Sequence, residues 1–196
     1  MDEKLNPCLE SAQKQEQSVY FVDAAHFVPG SFIGYLWCMV RIFIPTSCGR
    51  SRYNVPGAIN AITHQLITVC NETYINACSV CELLHKIREE TIGEITLVLD
   101  NAKYQRCALV MELAKKLNIE LLFLPSYSPN LNLIEWLWKW VKKDCLYCKY
   151  YERFDEFKEA INQSLRKVTQ TETKKEMDSL LSLKFQLFDS AIYNRA

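Results

Sequence analysis

The sequence lacks an apolar run long enough to cross a membrane. Its nearest candidate, residues 32–40, is short and is followed by Arg41, whereas a spanning helix needs about 20 mostly apolar residues. The first residues, Met1-Asp2-Glu3-Lys4, lead into polar sequence and lack the apolar core of a signal peptide. We therefore expect a cytoplasmic protein with no membrane partner.

Glycine is also scarce. The chain has five glycines, and it contains no Gly-rich phosphate loop, Gly-x-Ser-x-Gly elbow or dinucleotide-binding fingerprint. The formal net charge is zero, which neither supports nor excludes nucleic acid, because binding depends on the local field. The nine cysteines are an odd number without an export signal, which indicates reduced thiols rather than a disulfide framework.

The remaining composition predicts a globular protein. The chain has 196 residues, of which 49% are apolar and 12% aromatic, enough for one domain with a proper core and some extra sequence. Residues 1–18 are polar without an apolar period, so we expect a linker or a flexible N-terminus. Residues 19–168 form the predicted domain. Residues 169–196 form a C-terminal tail with a short apolar segment at 180–188.

The predicted elements alternate in a way that indicates an α/β fold with a mixed sheet. Apolar runs predict strands, and helical periodicity predicts helices. The strands are expected at 19–23, 53–62, 65–70, 94–99 and 119–124, and the helices at 76–90, 103–117, 131–146 and 154–168. The strand–helix–strand unit that begins at residue 94 predicts two parallel strands.

Three acids stand at unusual places in this order. Asp23 and Asp100 each end an apolar strand, and Glu135 lies in an apolar helix between Ile134 and Trp136. Ligands of open sheets bind beyond the carboxyl ends of the strands. Clustered carboxylates repel one another, and Mg²⁺ or Mn²⁺ resolves the repulsion because these ions prefer oxygen ligands. Two such ions, about 3.5–4 Å apart, can bind both the attacking and the leaving oxygen of a phosphodiester.

Each acid also has an ordinary structural explanation. Asp100 could cap the following helix, Asp23 could be a turn residue, and Glu135 could complement the helix dipole. An exposed acid would serve the dipole equally well. Because Glu135 lies within a run of Leu, Ile and Trp, a polar pocket explains it better.

Three blocks of sequence resemble the catalytic blocks of mariner-like DDE transposases, most closely the bacterial insertion-sequence branch. The blocks are Phe21-Val22-Asp23, Leu99-Asp100-Asn101-Ala102 and residues 126–135. The second and third acids are separated by residues 101–134, a stretch of 34 residues that matches the pattern of this superfamily. The resemblance covers about residues 19–168. It implies a ribonuclease-H-like mixed sheet flanked by helices, and it assigns metal binding and catalysis to Asp23, Asp100 and Glu135.

The resemblance also implies a reaction and partners. A metal-activated water would cut DNA at the ends of a mobile element, and the resulting 3′-OH would attack target DNA. Two Mg²⁺ or Mn²⁺ ions, a homodimer on DNA and a place at the bacterial nucleoid are expected. Family members usually carry N-terminal helix-turn-helix domains, so a separate helix-turn-helix partner is expected here. Two further departures are Tyr104-Gln105, where many relatives have His, and Leu133, where many have Pro.

Residues beside the acids are candidates for supporting roles. We expect His26, Asn101 and Asn132 to support the acids from a second layer. Cationic side chains that could contact DNA phosphates, or equally form a solvated face, are Arg50, Arg52, Lys139, Lys142 and Lys143.

Other motifs favour structural roles. Trp136, Trp138 and Trp140 could stack on bases, but most are expected to pack their helix onto the sheet. The two Cys-x-x-Cys pairs, Cys78/Cys81 and Cys145/Cys148, fall in helical segments, which disfavours a zinc site.

Two alternatives to an active transposase stay open at this point. An inactive transposase remnant could act as a DNA-binding or oligomerising regulator. Another ribonuclease-H-like nuclease could use the same three acids on an RNA–DNA hybrid or a junction.

Overall fold

The computed structural model describes residues 2–29, 39–40, 43, 51–125 and 132–183. Five strands lie in these residues: β1 Gln17–Phe27, β2 Tyr53–Asn60, β3 Leu66–Thr68, β4 Glu94–Leu99 and β5 Ile119–Phe123. Six helices accompany them: α1 Asp2–Gln13, α2 Ala77–Glu90, α3 Ala108–Lys116, α4 Leu133–Leu146, α5 Phe154–Lys167 and α6 Lys174–Leu180. No described helix is both long and apolar enough to pass through a bilayer.

The five strands form one mixed sheet in the order β3-β2-β1-β4-β5. Strands β1, β4 and β5 run parallel, and β2 runs antiparallel to both of its neighbours. The β2–β3 hairpin and the parallel β4–α3–β5 unit were both predicted from the sequence. The structure confirms the α/β fold with a mixed sheet.

Helices cover both faces of the sheet. One face, here called the α4 face, packs Phe21 and Val98 against α1, α4, α5 and α6. The other, here called the α2–α3 face, packs Tyr20 and Leu97 against those two helices. Neighbouring residues of a strand point to opposite faces. The face on which each remaining residue of β1 and β4 lies therefore follows from these assignments.

The N-terminal segment differs from the linker or flexible terminus that the sequence predicted. Residues 2–13 form α1, and Leu5, Leu9 and Ala12 are buried on the α4 face. Their spacing of four and three residues puts them on one side of a helix. Polar neighbours and Pro7 weaken this pattern in the sequence, and burial against the sheet stabilises the helix.

Strand β1 extends beyond its predicted end at Asp23. It runs on to Phe27 because β2 pairs with it through the register partners Ala24–Pro56 to Phe27–Tyr53. Asp23 therefore lies inside β1, although the pairing between β1 and β4 does end beside it, at Val22–Leu99.

Helix α3 begins five residues later than predicted, because residues 103–107 form turns after the end of β4. Its buried residues are Val110 and Ala114, whereas Leu109 is exposed. Helix α2 agrees closely with its predicted range of 76–90 and buries Val80, Leu83, Leu84 and Ile87.

The beginning of the C-terminal tail belongs to the core. Met177 of α6 and Leu181 after it are buried on the α4 face, and Asp178 pairs with His64 at 3.1 Å. The predicted apolar segment at 180–188 lies outside the described residues from residue 184 onward.

Candidate active site

Two of the three acids follow the same register pair of the sheet. Val22 and Leu99 are partners in the parallel β1–β4 ladder, and Asp23 and Asp100 come next in the sequence. Phe21 and Val98, two residues before the acids, both belong to the α4 face. By the alternation of strand residues, both carboxylates therefore lie on the α4 face.

Glu135 reaches the same place from the helix that covers this face. It lies in the first turn of α4 and is half-buried. Burial raises the pKa of Glu135, the charges of Asp23 and Asp100 raise it further, and Lys139 lowers it. The charges of all three acids therefore interact, and the assignment of metal binding and catalysis to them stays a prediction.

Asp23 is the most enclosed member of the cluster. Burial raises the pKa of Asp23, and so does the charge of Asp100, while a hydrogen bond from the Ala24 backbone lowers it. Trp138 and His26 also lower this pKa. A carboxylate in this position is costly to keep ionised without a cation.

The helix-capping explanation of Asp100 does not fit the structure. The residue before α3 is Cys107, several residues after Asp100. The carboxylate Oδ1 instead accepts a hydrogen bond from the Ala102 backbone at 3.3 Å, which holds the turn at the end of β4. Asn101, between them, has a positive φ of 78°, as Asn tolerates in tight turns.

The donor set has the chemistry of a hard-cation site. It consists of carboxylate oxygens whose charged forms repel, and buried side-chain oxygens of Asn101 and Asn132 beside them have no hydrogen-bond partner in the described part of the chain. Among the described residues, no three His, Cys, Asp or Glu side chains are close enough to hold a metal ion as they stand. The cysteines of both Cys-x-x-Cys pairs are among these residues. The residues fit an oxygen-preferring divalent ion in type.

Asn132 links the helix to the strand that carries Asp23. It is buried, and its Nδ2 donates to the backbone carbonyl of Val22 at 3.4 Å.

His26 has a different position. By alternation it lies on the α2–α3 face, and its Nδ1 is 2.8 Å from Asn54 Oδ1. Its role beside the acids stays a prediction.

The predicted cationic residues are divided in their placement. Lys139 and Lys143 are exposed on α4, and Lys139 Nζ lies 4.3 Å from the centre of the Trp136 ring. Lys142 is half-buried, with its Nζ 5.9 Å from the Phe27 ring. The guanidinium carbon of Arg52 lies 4.7 Å from the Tyr74 ring. Arg50 lies outside the described residues.

Sequence reasoning missed two residues at the acids. Burial raises the pKa of Tyr104 to about 12, with Asp100 and Asp23 acting in the same direction, so this phenol stays neutral within electrostatic range of both acids. Gly57 is the register partner of Asp23 on β2. A lone glycine inside a strand is a known sign of close approach by another group, and that signal could have pointed to Gly57.

The sequence matches the family model described as DDE superfamily endonuclease over residues 18–158. The chain belongs to the DDE superfamily endonucleases. The recognition of this superfamily from the three acid-bearing blocks is thereby confirmed, and the enzyme class with it. The bacterial insertion-sequence branch stays a prediction. No curated protein matches the sequence significantly.

Solved structures confirm the ribonuclease-H-like fold. The Mos1 transposase catalytic domain, solved with Raltegravir and Mg, is similar with a TM-score of 0.53 at 12% identity, over 93% of this chain and 92% of that one. The HTLV-2 integrase catalytic core domain, in complex with magnesium, gives 0.52 at 12% identity over 78% of this chain and 86% of that one. The Mos1 strand transfer complex gives 0.53 at 13% identity over 93% of this chain. This chain spans only 60% of the Mos1 chain in that complex.

Proposed function

We propose that this chain is the catalytic domain of a transposase, which cleaves DNA and transfers strands by divalent-metal-dependent displacement at phosphorus. The observation that carries the proposal is that Asp23, Asp100 and Glu135, from three separate elements, interact electrostatically on one face of a sheet in a DDE endonuclease. Residues 19–168 would be the catalytic domain, and α1 and α6 would complete its core.

Asp23, Asp100 and Glu135 would hold Mg²⁺ or Mn²⁺, as two ions. The ions would supply a nucleophilic water and neutralise the charge that develops on the phosphodiester. Two structurally similar proteins were solved with magnesium, which supports this choice of metal.

The chain's own contribution is the positioning of the acids. Asp23 is fixed by the β1–β2 and β1–β4 ladders, and Asp100 by its hydrogen bond from the Ala102 amide.

In the first reaction a bond forms between water oxygen and phosphorus, and the bond to the 3′ oxygen breaks, leaving a 3′-OH. In the second, that 3′ oxygen bonds to a target phosphorus as a target P–O bond breaks.

DNA at element ends and at target sites would be the substrate. The exposed surface of α4 next to Glu135 carries Trp136, Lys139 and Lys143, an aromatic ring and two cations at helical spacing. Such a surface suits a phosphate backbone and an unpaired base. A homodimer on DNA and a separate helix-turn-helix partner belong to the same proposal, as does association with the bacterial nucleoid.

Nicking of supercoiled plasmid DNA tests the proposal. The purified chain should nick the plasmid with Mn²⁺ or Mg²⁺ and be silent with Ca²⁺ or EDTA, and Asp100→Asn should abolish nicking. Asp178→Asn, an equivalent change on α6, should leave nicking intact. Equal activity of wild type and Asp100→Asn would refute the proposal. Faster cleavage of an RNA–DNA hybrid would favour another ribonuclease-H-like nuclease, and DNA binding without cleavage would favour a regulatory remnant.

A further inference from the structure

Trp138 is a buried aromatic residue one turn after Glu135 on α4, with only 4% of its surface exposed. Its ring lies directly over Gly57 of β2. A Cβ atom at position 57 would be 2.8 Å from Cη2 and 3.0 Å from Cζ2 of the Trp138 ring, and 3.5 Å from Ile134 Cδ1. Real Cβ atoms essentially never approach as closely as 2.8 Å. Position 57 therefore requires glycine, because any side chain there would overlap the Trp138 ring.

The slot above Gly57 adjoins the acid cluster. Gly57 and Asp23 are register partners in the β1–β2 ladder, and both lie on the α4 face. The indole ring is thus held against the strand position opposite Asp23. Helix α4 thus approaches the sheet closely at the residue pair that includes the most enclosed acid.

The indole N–H of Trp138 is buried beside the strand position opposite Asp23. Nε1 of Trp138 is buried and makes no hydrogen bond of ordinary geometry within the described residues. The ring lies against Gly57, the register partner of Asp23, and Trp138 also lowers the pKa of Asp23. A buried N–H without an acceptor is costly, and a carboxylate oxygen is an acceptor suited to it.

A second contact anchors the same end of the helix to the neighbouring strand β1. Asn132, immediately before α4, donates to the carbonyl of Val22, the residue before Asp23. The start of α4 is therefore held at β1 by the Asn132 amide and at β2 by the Trp138 ring over Gly57. Glu135 lies between these two contacts along the helix.

We propose that Trp138 is a positioning residue, which orients the Asp23 carboxylate through its indole N–H and is admitted to its place by Gly57. The inference rests on the proposed function for its consequence, metal binding by Asp23, but the contact itself can be tested without metal. Groups that orient metal ligands commonly change metal affinity about 10–100-fold when they are removed.

The first experiment follows the indole N–H resonances of the ¹⁵N-labelled protein in EDTA. The Trp138 resonance is assigned by its absence in Trp138→Phe. Asp23→Asn should move this resonance more than those of the other tryptophans. Trp136, exposed on the same helix, is the internal control. An unchanged Trp138 resonance in Asp23→Asn overturns the inference, whether or not the protein binds metal.

The second experiment measures Mn²⁺-dependent thermal stabilisation of the wild type, Trp138→Phe, Gly57→Ala and the control Trp136→Phe. Trp138→Phe keeps a ring in the slot but removes the N–H. We expect Trp138→Phe to weaken Mn²⁺ binding about 10-fold. Gly57→Ala should weaken it similarly, because the new Cβ displaces the indole. Trp136→Phe should leave the Mn²⁺ affinity unchanged. Wild-type affinity in Trp138→Phe overturns the inference. A wild type that Mn²⁺ does not stabilise refutes the proposed function instead, and the resonance experiment then decides the inference.

Discussion

Val22 and Leu99 are the last register partners of the parallel strands β1 and β4, and the next residue on each is an acid. This relationship brings the charges of Asp23 and Asp100 onto one face of the sheet. Burial, with Asp100 beside it, raises the pKa of Asp23. The metal-free protein therefore keeps a carboxylate ionised at some cost to its stability.

Asp23→Asn should stabilise the metal-free protein. At pH 7 the change removes a buried charge, and we expect Tm in EDTA to rise by about 2–4 °C, which corresponds to about 1 kcal/mol in a domain of this size. Because the folded pKa lies above the unfolded value, wild-type stability falls as pH rises through the folded pKa. The advantage of the variant should therefore vanish below about pH 4, where the carboxyl is protonated in both states.

Calorimetry in EDTA checks this prediction. Glu94→Gln, an exposed acid at the start of β4, is the matched control and should move Tm by less than about 1 °C, as surface substitutions usually do. A lower Tm for Asp23→Asn at pH 7 would contradict the prediction.

Asp144 should show the opposite pH dependence. Its Oδ2 is 2.9 Å from Lys167 Nζ, which joins α4 to α5. Burial alone would raise the pKa of Asp144, but the hydrogen bonds from Lys167, with the nearby Ser164 acting in the same direction, outweigh it, and the pKa is lowered. Its contribution is present above the unfolded pKa, about 3.9, and is lost as pH falls through the folded pKa.

Asp144→Asn should therefore cost about 0.5 kcal/mol at pH 7, since both partners are partly exposed, and progressively less below pH 4. Urea unfolding across pH measures the difference. Glu152→Gln, an exposed acid nearby, should cost nothing measurable. If the loss in free energy of unfolding caused by Asp144→Asn grew as the pH fell, the ion pair with Lys167 would not be the source of that loss.

Leu9→Ala tests whether α1 belongs to the core. Leu9 is 6% exposed, so truncation should lower the free energy of unfolding by about 2–4 kcal/mol through lost burial and a cavity. Glu10→Ala, on the exposed side of the same helix, should change it by less than about 0.5 kcal/mol. Urea titration distinguishes the two, and equal, small effects would restore the linker interpretation of this segment.

The double substitution Lys139→Gln and Lys143→Gln tests the α4 surface as a DNA contact. We expect weaker DNA binding and a salt dependence whose logarithmic slope falls by about 1–2, since each released phosphate contact contributes about 0.9. Fluorescence anisotropy at several salt concentrations measures the slope. Lys115→Gln with Lys116→Gln, on α3 of the opposite face, is the control; an equal loss in both pairs would indicate non-specific attraction only.

The acids could be found from the sequence because their signals are local. Asp100 ends a continuous apolar strand, and Glu135 stands among Leu, Ile and Trp, so each is visible within a few residues. The parallel pairing of β4 and β5 follows equally from a short strand–helix–strand unit.

What the sequence did not reveal depends on distant pairing. Strand β1 continues beyond Asp23 only because β2 pairs with it. Leu5 and Leu9 lie on one side of a helix that is stabilised by packing on the α4 face of the sheet. The fit of Trp138 over Gly57 joins two distant elements: the lone glycine indicates a close approach, but nothing in the sequence says which side chain makes it. Such contacts are decided by tertiary packing, which overrides local propensity.

The two faces of the sheet also differ in when their residues become available during synthesis. The buried cluster on the α2–α3 face draws on residues from Tyr20 to Ile119, whereas that on the α4 face needs residues from Leu5 to Leu181. A chain emerging from the ribosome can thus complete the first layer while α4 is still unmade. The face that holds Asp23, Asp100 and Glu135 is the last to close, so in a nascent chain Glu135 joins Asp23 and Asp100 only after α4 has been made.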